Sequence, residues 1–297
     1  MWYLQESNQG HKDFQSFALP TELRYPIVGC KYNVLFTTVQ INSTRKNKPL
    51  LFPYIRTMRL IIDIGNTQIK YYLYHKGVFK ANGYAKTLLA IRKLLKREWE
   101  KIAVVVYADV QGITDKKILE NTFNPYPVVG VKKLKLPFET QYKTPETLGD
   151  DRIALVAAAT KKYPNQNCLI IDAGSCLTFD FITANNHYLG GSISPGLNMR
   201  FKSLHQFTGK LPLVGVKNIP TGHGNSTRTS IQTGVVQGML YEIEGQIHHY
   251  EQKFSPLTVI LTGGDGLFLS KSVKNTIFAE SNFLAEGLDF LLEFNSF

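Results

Sequence analysis

The sequence predicts an α/β protein made of two copies of one unit, each a mixed sheet flanked by helices. Three observations carry this. The apolar run Leu60-Ile61-Ile62 ends in Asp63-Ile64-Gly65-Asn66-Thr67, and a second run, Leu169-Ile170-Ile171, ends in Asp172-Ala173-Gly174-Ser175. Beyond each turn lies a second strand, Gln68 to Tyr74 and Leu177 to Ile182. Turns at Lys76-Gly77 and Ala184-Asn185-Asn186 then lead into third strands beginning Val78-Phe79 and His187-Tyr188-Leu189.

A three-stranded antiparallel unit that occurs twice, each time followed by helices, points to duplicated actin-like, RNase H-like domains (the ASKHA architecture of sugar-kinase-type ATPases). The first domain is expected over residues 58–165 and the second over 166–297. Arg59 to Ile64 is apolar enough to be buried on both faces. Thr87 to Glu98 places Leu88, Leu89, Ile91, Leu94 and Leu95 near helical period. Lys101 to Val106 reads as a buried strand and Ile113 to Asn121 as a short helix; Pro125, Pro127 and Pro137 break the region after that helix. Thr147 to Lys162 reads as an Ala-rich helix closed by Pro164. The second half runs from the strand at Cys168 through a long helix, Ser230 to Gln252, and a late strand, Leu257 to Leu261. A closing helix spans Phe283 to Phe294.

The chain has 297 residues, 43% of them hydrophobic, and no apolar run reaches the ~18–20 residues of a membrane span. Cys30, Cys168 and Cys176 are few and odd in number, which fits free thiols in a reducing, cytoplasmic setting. A net charge of +11 suits nucleic acid or an anionic small substrate. The lysines at 132, 133, 135, 161 and 162 are dispersed, as on solvated faces, which argues against a nucleic-acid-binding arm. Residues 1–57 are polar, turn-rich and without sustained periodicity, and Met58 stands directly before the first core strand. They read as a poorly ordered, dispensable extension without a signal peptide's pattern.

The chemistry sits at the strand ends. A buried strand delivers Asp63 to the sheet's edge, where an ionised carboxylate suits hydrated Mg²⁺. Gly65 lets the backbone approach a ligand and turn an N–H toward phosphate. Asn66 and Thr67 can donate to β- and γ-phosphate oxygens, with Lys70 nearby. Thr262-Gly263-Gly264-Asp265 follows a strand and opens a helix, as a nucleotide contact or as a simple glycine turn. Gly149-Asp150-Asp151-Arg152 opens the Ala-rich helix. Carboxylates there commonly complement the helix dipole. They can also act as cap and catalyst, with Arg152 fixing an anionic group. Neither a P-loop nor a protein-kinase signature set occurs.

Taken in order, these stretches resemble the type III pantothenate kinase family. The family's Asp-x-Gly-Asn-Thr-x-x-Lys is Asp63 to Lys70 here. Its Tyr followed by Gly-x-Asp-Arg is Tyr142 followed by Gly149-Asp150-Asp151-Arg152. Its Asp-x-Gly-Thr-Ala-x-Thr becomes Asp172-Ala173-Gly174-Ser175-Cys176-Leu177-Thr178, with Ser-Cys replacing Thr-Ala. Gly190-Gly191-Ser192-Ile193-Ser194-Pro195-Gly196, Gly224-Asn225-Ser226-Thr227 and Thr262-Gly263-Gly264 complete the series. The match spans residues 58–297.

The resemblance implies ATP-dependent phosphorylation of pantothenate, the first step of coenzyme A synthesis, with Asp151 as base. Asp63, Gly65, Asn66, Thr67, Lys70, Ser175, Thr178, Gly263 and Gly264 would hold ATP, and Asp63 would hold Mg²⁺ through water. Tyr142, Gly149, Asp150, Asp151 and Arg152 would bind pantothenate. Asp172 would bind a monovalent cation, K⁺ or NH₄⁺. A homodimer is implied, with Thr227 supplied across the interface. Two other readings keep the fold: a transcription accessory protein without catalysis, and a kinase of another small hydroxy acid. The retained Asp63, Asp151 and Asp172 argue against the first, and Tyr142 with Arg152 against the second.

Overall fold

Two sheets share one strand plan. A computed structural model of the chain describes residues 57–66, 68–112, 114–273 and 278–297. The expectations for residues 1–56 and for Thr67 lie outside them. In the first sheet β1 (Met58–Ile64) is central, antiparallel to β2 (Ile69–His75) and parallel to β4 (Ile102–Asp109). β3 (Val78–Ala85) pairs antiparallel with β2, and β5 (Val128–Gly130) pairs parallel with β4, giving the order β3-β2-β1-β4-β5. In the second sheet β7 (Asn167–Ala173), β8 (Cys176–Ile182), β9 (His187–Pro195), β10 (Leu257–Thr262) and β11 (Phe278–Ala279) repeat those positions and senses. β6 (Glu139–Thr140) adds an outer strand beside β9.

The helices repeat the plan as well. α1 (Leu88–Leu94) joins β3 to β4, as α4 (Leu197–Gln206) and α5 (Thr227–Glu251) join β9 to β10. α2 (Lys116–Phe123) and α6 (Gly266–Ser270) precede the outermost parallel strands. α3 (Asp150–Lys162) and α7 (Phe283–Phe294) follow them and pack against each other. Their apolar faces meet one face of both sheets in a shared core that includes Ile61, Val106, Leu155, Ile170, Ile260 and Leu288. A separate cluster lies under each outer layer, one beneath α1 and α2 and one beneath α4 and α5.

Several boundaries differ from the periodicity-based expectation. α1 is capped by Thr87, whose Oγ1 accepts from Ala90 N at 3.2 Å, but it stops at Leu94 rather than Glu98. Trp99 lies against Phe123 and Tyr126, at ring separations of 6.0 and 5.2 Å, and the chain there forms a 3-10 turn, Trp99–Lys101. α2 starts at Lys116 because Asp115 caps it, accepting from Lys117 N at 2.8 Å. α3 starts at Asp150, not Thr147; Leu148 before it is extended and buried. α5 begins three residues early, where Ser226 and Thr229 form a reciprocal capping box. α4 and the short strands β5, β6 and β11 have no counterpart in the sequence reading.

Candidate active site

A cleft of about 520 Å³ opens where the two sheets face each other, within the ~300–1,000 Å³ usual for small-molecule sites. Asp63 enters from the end of β1 and Asp172 from the end of β7. Asp151 enters from the first turn of α3. Gly65, Asn66, Lys70, Gly174, Ser175, Cys176, Thr178, Gly263 and Gly264 complete the polar lining. Every expected nucleotide residue among the described ones therefore lines one cleft.

The three carboxylates charge one another's surroundings. Burial pushes Asp63 up to about 6, against the pull of Lys70 and with the push of Asp151. Burial pushes Asp172 up to about 7, and Asp151 and Asp63 add to it. Asp151 is also raised by burial, against the hydrogen bond from Arg152 N to its Oδ1 at 2.8 Å. A raised carboxylate is a stronger proton acceptor. The three carboxylates and the hydroxyls of Ser175 and Thr178 are hard oxygen groups, which suit Mg²⁺ or an alkali cation. Among the described residues no three acidic, His or Cys side chains form a ready-made metal cage. Thr178 Oγ1 is a buried hydroxyl with no hydrogen-bond partner, facing the same space.

Local packing explains how Asp151 reaches the cleft. Asp109 N at the end of β4 donates to Asp150 Oδ2 at 3.1 Å, pinning the start of α3. Asp150 is thus turned to β4 and does not line the cleft, although it was expected at the substrate. A Cβ on Gly149 would overlap Asp151 Oδ1, so glycine leaves room for that carboxylate. Gly263 has φ +91°, and a Cβ there would overlap Asp172 Oδ1 and the Ala173 backbone. One expectation is corrected. The Gly65 N–H donates to Gln68 O at 3.2 Å and the Gly174 N–H to Cys176 O at 2.9 Å. These N–H groups close the hairpin turns instead of facing phosphate.

Tyr142 and Arg152 stand together behind Asp151, outside the cleft lining. The guanidinium lies 5.5 Å from the Tyr142 ring centre. Thr227 is exposed at the start of α5 and does not line this chain's cleft. Sequence reasoning passed over Asp180 and Tyr188. Both are wholly buried, and Asp180 Oδ1 accepts from Arg152 Nε at 2.8 Å and from Tyr188 Oη at 2.7 Å. The available signal was a lone carboxylate inside the apolar strand Leu177-Thr178-Phe179-Asp180-Phe181-Ile182.

A family model described as type III pantothenate kinase matches residues 59–249. A type III pantothenate kinase from Christiangramia forsetii is 47% identical over 247 residues, covering 80% of this chain and 99% of the relative. The chain belongs to the type III pantothenate kinase family. A member from Bacteroides fragilis is 39% identical over 245 residues, with 80% and 99% covered. Among solved structures, a Campylobacter jejuni protein described as a Baf family transcriptional activator aligns with TM-score 0.55 at 24% identity. A Sinorhizobium meliloti protein described as a 2-dehydro-3-deoxygalactonokinase aligns with TM-score 0.52 at 9% identity. Each covers 80% of this chain and 98% of its own, and each speaks to the fold alone. The sequence resemblance to type III pantothenate kinases is thereby confirmed at the level of the family, as is the actin-like architecture. No helix among the described residues is long and apolar enough to cross a membrane.

Proposed function

We propose that this protein transfers the γ-phosphoryl group of ATP to the 4′-hydroxyl of pantothenate, giving 4′-phosphopantothenate and ADP. The observation that carries it is the meeting of Asp63, Asp151 and Asp172 around one cleft that Gly65, Gly174, Gly263 and Gly264 also line. Asp151 accepts the hydroxyl proton as the new O–P bond forms and the bond to ADP breaks. A carboxylate raised by burial fits this task, because phosphoryl transfer asks mainly for positioning and charge neutralisation. Mg²⁺ bound with ATP would neutralise phosphate charge, with Asp63 holding its water. Asn66, Lys70, Ser175 and Thr178 face the phosphates, and Gly263 and Gly264 let the nucleotide lie against the end of β10. Thr67 is assigned to the phosphates by its place in the Asp63–Lys70 motif alone.

Asp172 faces Thr178 and not a lysine across its hairpin, and it would hold a monovalent cation, K⁺ or NH₄⁺, that adds positive charge beside the phosphates. Tyr142, Gly149 and Arg152 form the pantothenate side, with Asp150 locking the helix that carries Asp151. Thr227 reaches the partner's pocket in a homodimer, which its exposure permits. The two actin-like domains divide near residue 165, residues 1–57 are dispensable, and the enzyme works in the cytoplasm.

The test is ATP consumption by the full chain with pantothenate, Mg²⁺ and K⁺, beside Asp151→Asn. Loss of a positioned base costs about 10²–10⁴-fold. Pantothenate-dependent turnover that falls by at least about 10²-fold in a folded Asp151→Asn supports the reading. Full turnover in that variant, or a folded parent that ignores pantothenate, overturns it.

A further inference from the structure

We infer that Asp180 is a positioning residue for substrate selection: it holds the Arg152 guanidinium in the one orientation that receives the carboxylate of pantothenate. The inference rests on the pantothenate reading above. Asp180 lies on β8, pointing into the shared core, and has no exposed surface. Burial raises its pKa, while Arg152 and the Tyr188 hydroxyl hold it down. A carboxylate so deep is costly unless it is paired.

The pairing is lopsided. Arg152 Nε donates to Asp180 Oδ1 at 2.8 Å, and Nη2 stands 2.7 Å from that same oxygen in an ion pair. Asp180 Oδ2 is buried without a partner. A fork–fork arginine–carboxylate pair would use both oxygens. Here Nε and Nη2 converge on one oxygen, so Asp180 fixes that edge of the fork. Tyr142 covers one face of the guanidinium, and Tyr188 stacks on Tyr142 at 6.3 Å while donating to Asp180. Edge and face are thus both fixed before any ligand arrives. Asp180 also cancels the charge of Arg152, so the pocket selects an anion by the placement of donors more than by net attraction. A guanidinium held in one orientation for a carboxylate discriminates against an analogue that lacks it.

The experiment compares pantothenate with pantothenol, which carries a hydroxymethyl group in place of the carboxylate, in the full-length enzyme. Three variants are measured: Arg152→Ala, Asp180→Asn and Tyr188→Phe. Asp180→Asn should raise KM for pantothenate about tenfold, the loss of roughly one charge-assisted hydrogen bond. The KM values for ATP and pantothenol should stay within about twofold, well inside one such bond. Tyr188→Phe, which keeps the ion pair, should shift the same ratio in the same direction by a smaller factor. It carries the test if Asp180→Asn does not fold.

A purely structural role would lower turnover on both acceptors alike and leave their ratio unchanged; that result overturns the inference. A lower KM for pantothenate in Asp180→Asn overturns it too, since Asp180 would then be a competitor for Arg152. If Arg152→Ala abolishes the preference but the other two variants keep it, the inference fails and the substrate reading stands. If Arg152→Ala keeps the preference, the placement of Arg152 at the carboxylate is wrong and the inference falls with it.

Discussion

The two β-hairpins that flank the cleft share a backbone and differ in where they put positive charge. In the first, Asp63 pairs across the strands with Lys70, whose Nζ stands 3.9 Å from Asp63 Oδ2. In the second, Asp172 occupies the same place and its cross-strand partner is Thr178. Burial raises both carboxylates, Asp63 to about 6 and Asp172 to about 7, and Lys70 pulls both down, pairing directly only with Asp63. A duplicated scaffold thus holds one carboxylate with a cation in its own hairpin and one whose hairpin supplies none. That asymmetry supports the proposed cation at Asp172, with Mg²⁺ at Asp63.

The largest expected effect tests this directly. Asp172→Asn should lower turnover by at least about 10²-fold, as does loss of an electrostatic group acting on the transferring phosphoryl. It should also abolish the response to K⁺ or NH₄⁺. Thr178→Lys places in the second hairpin the charge that the first already has. Activity remaining in that variant should no longer depend on a monovalent cation, read as rate against KCl at constant ionic strength. Unchanged K⁺ dependence would break the comparison.

The strand that closes each hairpin's turn sharpens it. At the end of β10, Gly263 lies close against Asp172 and Ala173 with a positive φ. At the end of β4, Gln111 reaches across instead, donating from Nε2 to Gly65 O at 3.0 Å. Gly263→Ala should therefore displace Asp172 and raise KM for ATP about tenfold or more, since a side chain at such a φ costs of order 1–3 kcal/mol. Gln111→Ala should cost about 1 kcal/mol of stability or less, one exposed hydrogen bond. Similar losses in both would mean that the glycine serves only the turn.

Acidity gives a smaller, continuous effect. Asp63 and Asp172 titrate at about 6 and 7 in the fold, against about 3.9 for a free Asp. Between those values the folded chain holds protons that the unfolded chain has released. The stability they contribute is fully present below about pH 4 and is lost as pH rises through 6 and 7. The melting temperature of the ligand-free protein should accordingly fall on going from pH 5.5 to pH 8, and fall less in Asp172→Asn. At pH 8 that inactive variant should be the more stable protein, the trade a strained site makes for function. Equal slopes in the two proteins would place the burden elsewhere.

Strand ends and their order were legible in the sequence because apolar runs and hairpin turns are local signals. The repeated Asp-x-Gly was enough to anticipate that two distant segments face one cleft, and residues of both turns line it. What the sequence hid was tertiary. Asp150 and Asp151 are neighbours in one helical turn, and only the Asp109 amide decides that Asp150 faces β4 while Asp151 faces the cleft. Asp180 looked like a strand residue of no account until Arg152, 28 positions earlier, came to lie against it. Short edge strands such as β6 and β11 have two residues each, too few for any period to register.

The smallest effect concerns the one place where the second hairpin departs from its family's pattern. Ser175 is exposed at the cleft and keeps the hydroxyl of the usual Thr. Cys176 is half-buried at the start of β8, and its carbonyl, not its thiol, closes the turn by accepting from Gly174 N. Any residue supplies that carbonyl. Removing the sulfur deletes little buried area, and the hydroxyl is retained either way. The double change Ser175→Thr with Cys176→Ala should therefore move kcat/KM for ATP by less than about threefold, under ~0.7 kcal/mol in transition-state binding. It should leave the K⁺ response intact. A gain of tenfold or more would instead mean that the thiol crowds the phosphates, and the difference between the hairpins would then lie in their turns as well as in their charge.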